Sequence, residues 1–232
     1  MNEILFLVSL IIAYSMVLFL LKKHGKTGLF VWTGFAIVLA NIEVIKGVEM
    51  FGLTMTLGNV IYLTTDFVTS ICNEVYGKET ARKAIWYGFY ASLSFVILSQ
   101  LTINFTPTPD SFEVSEAMKL LFSTTPRMVF SSLATFLVAS YIDTGIYDVL
   151  KRKVFKGDGA LNVFMRSEVS SSVSQFIDSA LFTVLAFAGV SHLGGGQLSG
   201  LVEITLTTYV AKMIVGALDT PFLYIAKKIA KE

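Results

Sequence analysis

The sequence predicts an all-α polytopic membrane protein with seven spans. Three observations carry that prediction. Hydrophobic residues make up 54% of the 232 and charged residues only 15%, whereas a soluble domain carries about 25% charged residues. Mean hydropathy is correspondingly high, at +0.68. Seven apolar stretches, near 3–21, 28–47, 53–75, 83–104, 126–150, 168–190 and 200–226, are each long enough to cross a hydrocarbon core of about 30 Å as a helix of about 20 residues. No strand-like alternation survives in these runs, which leaves helices to satisfy every backbone N–H and C=O in lipid.

Taken in order, span one begins Met1-Asn2-Glu3. That start lacks a positive charge and no small-residue cleavage site follows, so the stretch reads as a membrane helix rather than a signal peptide. A basic loop follows, with His24 as a solvated residue. Span two has Trp32 near one end, where an aromatic belt is expected, and Asn41 and Lys46 in its other half. Span three is the weakest, rich in Thr, Asn and Gly, and open to being broken or re-entrant. Asn59 opens it, Asp66 lies near its middle, and Asn73-Glu74 close it. Span four carries Trp86 near its first end. The connection from 105 to 125 starts with the rigid Thr106-Pro107-Thr108-Pro109. Asp110 with Glu113 then reads as a capping box for a short amphipathic helix from Ser111 to Phe122. Thr125-Pro126 supplies an N-cap and N1 proline for span five. In span six, Ser170-Ser171-Ser172 and Ser174 permit close helix packing. Gly194-Gly195-Gly196 makes a flexible turn into span seven.

Charge placement orients the chain. Lys22, Lys23, Lys26, Lys78, Arg82, Lys83, Lys151, Arg152, Lys153, Lys156, Arg166, Lys227, Lys228 and Lys231 all fall on one side if there are seven crossings, fourteen of the 18 basic residues. The opposite loops hold Lys119 and Arg127 with Glu49, Asp110, Glu113 and Glu116. The positive-inside rule then puts the N-terminus outside and the C-terminus in the cytoplasm.

Several functions are excluded or disfavoured. A net charge of +1 gives no field for nucleic acid. Cys72 alone forms no intramolecular disulfide, and with only two histidines there is no HExxH site. P-loop and GxSxG motifs are both missing. No metal or other cofactor is expected. The remaining signal is charge at membrane depth, which is costly and normally faces a bundle interior or a watery cavity. Asp66, Asp178 and Lys212 lie near the middles of spans three, six and seven, so they can converge on a midplane cavity with an Asp–Lys pair. Gln175 is one turn before Asp178 on the same helical face. The bland alternative is a structural ion pair or interhelical hydrogen bonding. Asp219, nearer the span end, reads as a gate or a helix-terminal residue, and Asp143 as structural or gating. Ile142-Asp143-Thr144, Ile177-Asp178-Ser179 and Leu218-Asp219-Thr220 form a weak repeat at spacings of 35 and 41. It is either an echo of a repeat-built transporter or coincidence in an apolar chain.

Several segments, in order, then carry a family resemblance. They are Ala40-Asn41-Ile42 on to Lys46, Phe51-Gly52-Leu53, Thr56-Leu57-Gly58-Asn59 with Tyr62, Asn73-Glu74-Val75-Tyr76-Gly77-Lys78, and Ala81-Arg82-Lys83-Ala84-Ile85-Trp86 with Gly88-Phe89. Further on come Pro126-Arg127, Ser174-Gln175 with Asp178, Tyr209 with Lys212, and Asp219-Thr220-Pro221. From about residue 29 to 228 the chain resembles the queuosine precursor transporter family, also called the vitamin uptake transporter family. The pattern departs at Ser70, where many members carry an acid that here stands one turn earlier, at Asp66. Ser140 replaces a common Gln, and Ser167 and Glu168 stand where amides are common.

The resemblance implies a six-helix core like the substrate-binding subunits of energy-coupling-factor vitamin transporters. Residues 28–232 would form this core, with 1–27 as an added N-terminal membrane helix and basic loop. It implies a multi-pass protein of the bacterial inner (plasma) membrane that imports 7-deazaguanine bases for tRNA modification: the cyano or aminomethyl precursor, or queuine. Its partners would be that small molecule and the lipid bilayer, without nucleic acid and without a coupling ATPase; homo-oligomerisation is left open. A deazaguanine presents an N–H beside an exocyclic amine, which a carboxylate accepts together, and a carbonyl, to which an amide or ammonium donates. The expected substrate contacts are Asn41, Asp66, Asn73, Glu74, Gln175, Asp178 and Lys212, with Asp178 or Glu74 taking the paired donors. Lys46, Asn59, Tyr62, Ser70, Arg82, Arg127, Asp143, Arg166 and Asp219 are expected to gate or support. Two alternatives stand beside this reading: a binding subunit that needs a separate energising complex, and an intramembrane enzyme.

Overall fold

The computed structural model describes residues 2–50, 52–122, 126–188, 199, 201–202, 205–206, 209–210, 212–213 and 219–230. Thr125, the Gly194–Gly196 turn, Leu218 of the weak repeat and Lys231 lie outside the described residues.

Helix α1 (Asn2–Glu43) contains the first two apolar stretches. At Gly25, φ 56° and ψ −137° leave helical geometry in a region that glycine alone adopts freely. A straight helix of 42 residues would be about 63 Å long. Instead Asn2 Nδ2 donates to Glu49 O at 3.0 Å, so the chain doubles back at Gly25 and its two halves run antiparallel. The basic loop expected at 22–27 is compressed into this one break. Lys46 leaves the helix altogether. It is exposed in the turn after Glu43, its N–H bonded to Glu43 O at 3.0 Å, and not in a membrane span.

A short antiparallel hairpin follows, β1 (Gly47–Met50) and β2 (Leu53–Thr56), with Val48 opposite Met55 and Glu49 opposite Thr54. It is a short interruption of the helical fold that the sequence predicts, and it takes the first residues assigned to span three. Val48, Thr54 and Thr56 are β-branched, and Gly52 has the positive φ, 73°, that tight hairpin turns favour. Helix α2 (Gly58–Ile71) then starts where α1 passes closest: a Cβ on Gly58 would stand 2.5 Å from Ala40 O. Asn59 lies half-buried in its first turn. A π-turn, Cys72–Tyr76, extends α2 and ends at Gly77.

Helix α3 spans Lys78–Thr102. A 3-10 turn at Pro109–Ser111 leads into α4 (Phe112–Phe122), the short helix expected there. Gln100 Nε2 ties α3 to its end through Phe122 O at 2.6 Å. Helix α5 (Pro126–Val149) also ends in a π-turn, Leu150–Val154. Helix α6 (Ala160–Phe187) begins eight residues before the apolar stretch that predicted it. Its first turns carry Arg166 and Ser167, which are buried among other helices rather than excluded from the fold. The described residues between 199 and 213 are helical, and α7 runs Thr220–Ile229.

The molecule has an apolar outer surface, and its interior combines an apolar core with a set of buried polar side chains. Ile4, Leu5, Ile12, Phe19, Val31, Phe35, Leu98, Leu101 and Val184 are exposed, as a lipid-facing surface requires. Tyr14 on α1 packs between Phe67 and Phe222, with ring centroids 4.8 and 5.0 Å away. The first helix is therefore part of the core. Trp32 is buried too, donating to Thr64 Oγ1 at 2.9 Å, and does not join an interfacial belt. Among the described residues, four helices meet the length and apolarity of a membrane span, with the doubled-back α1 counted once.

Candidate functional site

Helix α6 presents Arg166, Ser167, Ser170, Ser174, Gln175, Asp178 and Ser179 along one buried stripe. Helix α2 presents Asp66, Thr69, Ser70 and then Asn73 and Glu74. A 3.6-residue period puts each set on a single helix face. The two faces meet each other and the buried side of α5, forming a polar column between helices whose outer faces are apolar.

Midway along the column, Lys212 Nζ is ion-paired with Asp178 Oδ2. Tyr62 lies beneath the pair, its ring 5.3 Å from the ammonium and its hydroxyl 3.5 Å from Asp178 Oδ1. One turn along, Gln175 Nε2 donates to Asp66 Oδ2, and Gln175 Oε1 has no hydrogen-bond partner among the described residues. Asp66, Glu168, Ser171, Gln175, Lys212 and Asp219 line a nearly closed cleft here. Its free space admits about one water, so this is an occluded arrangement. Asp178, Lys212, Asp66 and Gln175 thus come together as the sequence predicted, and Tyr62, assigned to support, stands among them.

Next along the column, Ser174 Oγ donates to Asp143 Oδ1 at 3.2 Å. Asp143 Oδ2, Thr144 Oγ1, Ser70 Oγ, Ser167 Oγ and both side-chain polar atoms of Asn73 are buried without partners among the described residues.

The column ends at Glu74. The π-turn widens the helix locally and turns this carboxylate inward. It meets Lys227 Nζ at 2.5 Å, Arg166 Nη1 at 2.9 Å and Lys151 Nζ at 3.4 Å, and accepts from Tyr147 Oη at 3.0 Å. Arg166 also donates to Gly157 O and Asn162 O, Lys227 reaches Asp158 at 2.7 Å, and Lys151 donates to the carbonyls of Asn73 and Glu74. Burial disfavours the Lys227 ammonium, but the bonds and charges of Asp158 and Glu74 outweigh this and raise its pKa. Glu74 was a candidate substrate acceptor. Its acceptor sites are occupied by protein cations, so in this arrangement it closes the end of the bundle.

The other candidates lie elsewhere. Asn41 donates to Ile37 O and Ser92 Oγ, facing α3. Arg82 pairs with Glu79 at 3.0 Å and covers the Tyr141 ring. Arg127 Nε and Nη2 donate to Leu185 O and Ala188 O, both at 2.7 Å, capping the carbonyl end of α6 from the start of α5. Asp219, buried, precedes α7 and accepts the Leu223 N–H on its carbonyl at 3.0 Å. Sequence reasoning missed Glu168 and Ser171, although Gln175 seven and four residues on shares their face. It used Lys151 and Lys227 only for orientation and did not mark Tyr147. Among the described residues no cluster suits a metal.

Comparison with known proteins accords with a polar interior built for passage. A family model described as "Putative vitamin uptake transporter" matches residues 56–226. The chain belongs to this family. The vitamin uptake transporter chain is also 39% identical over 220 residues to a Bacillus subtilis (strain 168) protein called "Probable queuosine precursor transporter", covering 94% of this chain and 92% of that one. No solved structure matches. The family is one of transporters, so the intramembrane enzyme is set aside.

Proposed function

We propose that this membrane transporter imports queuosine precursors, binding a 7-deazaguanine base at the Asp66–Gln175 and Asp178–Lys212 pairs. One observation carries the site: two buried acid–donor pairs stand one turn apart on α6, Lys212 of one pair lies over the Tyr62 ring, and Asp66, Gln175 and Lys212 line one cleft. Each carboxylate already accepts from a protein group, and the base's adjacent N–H and amine can take over that role. Lys212 and Gln175 then donate to its carbonyl, and the flat ring stacks on Tyr62. A carboxylate at this depth is tolerated because the pair neutralises it. The precursor class comes from the Bacillus relative's name.

Asn73 and Glu74 lie at the far end of the column and serve its closure. Ser70, Asp143, Arg166 and Asp219 line or brace the route, while Asn41, Arg82 and Arg127 hold helix to helix. Seven crossings are supported by the doubling-back at Gly25 and by two sets of end contacts. Asn2–Glu49, Gln100–Phe122 and Arg127–Leu185 mark one end, and Glu74 with Lys151, Arg166 and Lys227 the other. With the basic residues at the second end, the N-terminus is outside and the C-terminus cytoplasmic. We read residues 28–232 as the six-helix core and 1–27 as an addition packed into it. The transporter acts without a coupling ATPase.

The test is uptake of a radiolabelled 7-deazaguanine by cells expressing the protein. Asp178→Asn is expected to abolish uptake while the protein remains inserted and monodisperse. Normal uptake by that variant would contradict the site.

A further inference from the structure

Among the described residues, five cations lie on or beside the polar column, and each has a carboxylate partner. Lys212 pairs with Asp178. Arg166, Lys151 and Lys227 surround Glu74. Arg82 pairs with Glu79 and covers Tyr141. Asp143, 2% exposed, makes no ion pair among the described residues. Its hydrogen-bond partners among the described residues are neutral serine hydroxyls, Ser174 at 3.2 Å and Ser170, and its second oxygen has no close partner there. Asp66 likewise accepts from a neutral amide, that of Gln175. The two carboxylates accept from consecutive residues of α6, Ser174 and Gln175. Two buried carboxylates held by neighbouring residues of one helix, neither in an ion pair among the described residues, cannot both be ionised cheaply. Each would bear its own desolvation, and together they repel.

The groups around Asp143 do not relieve this. The elements packed against it carry Tyr62 and Asp66 (α2), Glu74 (the π-turn), Arg82 (α3), and Arg166, Glu168 and Asp178 (α6), with Tyr147 and Asp148 on its own helix. Towards Glu74 the column continues through Thr144, Ser70, Ser167 and Asn73, all buried with unpartnered polar atoms. Buried groups of this kind are satisfied by ordered water, and hydroxyls with water relay protons.

We infer that Asp143, together with Asp66, binds a proton whose entry drives import, making the protein a proton-coupled transporter. This rests on the substrate reading above. The proton enters with the substrate from outside. It is held by the carboxylate pair while the bundle is occluded, and it leaves to the cytoplasm along the Ser70–Asn73–Ser167 route when the Glu74 end opens.

The experiment uses the full chain in proteoliposomes, with a labelled 7-deazaguanine, the voltage clamped by potassium and valinomycin, and an inward proton gradient. About tenfold accumulation per pH unit is expected for one proton per substrate, with collapse on adding a protonophore. Asp143→Asn is expected to equilibrate substrate without accumulating it. If that variant does not exchange substrate at all, Asp143→Glu carries the test. It should accumulate with a displaced pH profile, and an unchanged profile would remove Asp143 from the coupling. Wild-type protein that exchanges but never accumulates, accumulation that follows sodium instead, or an Asn variant that accumulates normally would overturn the inference. Failure of every tested base to exchange would overturn the substrate reading, and this inference with it.

Discussion

Asp178 and Glu74 are both buried acids, yet their surroundings give them different work. Asp178 has one cation, a phenol at 3.5 Å and a cleft beside it. Glu74 has three cations and a phenol around it, which take up most of its acceptor capacity. Removing the Glu74 charge leaves Arg166 and Lys227 facing each other without their anion. Glu74→Gln should therefore destabilise the protein by about 3–5 kcal/mol, read as a lower melting temperature in detergent. Lys151→Met should cost much less, because Lys151 is partly exposed and its contact is longer, at 3.4 Å. The sequence distinguished these roles only in part. Intramembrane position marked Asp66, Asp178 and Lys212, since a charge there needs a reason. It could not tell that Glu74 is enclosed, because the enclosing Lys151, Arg166 and Lys227 come from positions 77, 92 and 153 residues away.

Among the elements, α1 and the two π-turns matter most. Gly25 lets one continuous helical run become two antiparallel halves. Any side chain there must adopt a backbone that L-residues avoid, so Gly25→Val should lower expression and thermal stability, by about 1–3 kcal/mol for such strain. A normal melting profile would show that the reversal does not depend on glycine. Apolar length located most helices, because lipid demands about the same length from each. The hairpin was hidden, because its residues Leu53 to Thr56 are apolar or hydroxylic enough to extend a span. The start of α6 was hidden too, because Arg166 reads as part of a basic loop until the column that receives it is seen. Arg127→Ala should loosen the α5–α6 contact by leaving the Leu185 and Ala188 carbonyls without their donor. Loss of thermal stability with near-normal substrate affinity is the expected outcome.

At the scale of the molecule, an apolar exterior surrounds a polar column that is sealed at Glu74 and nearly closed at Asp66 and Asp178. The orientation follows from charge and is open to direct measurement. In a Cys72→Ala background, Asn2→Cys should react with a membrane-impermeant maleimide in intact cells, and Lys228→Cys only after permeabilisation; the reverse pattern would invert the topology. The central claim is import of queuosine precursors, and genetic rescue tests it most directly. The gene is expressed in cells unable to make or import 7-deazaguanines. The cyano precursor, the aminomethyl precursor or queuine is then supplied at low concentration, and queuosine in tRNA is measured. The account predicts restoration of queuosine with at least one precursor, and its loss with Asp178→Asn. No restoration with any precursor, from protein present in the membrane, would contradict it.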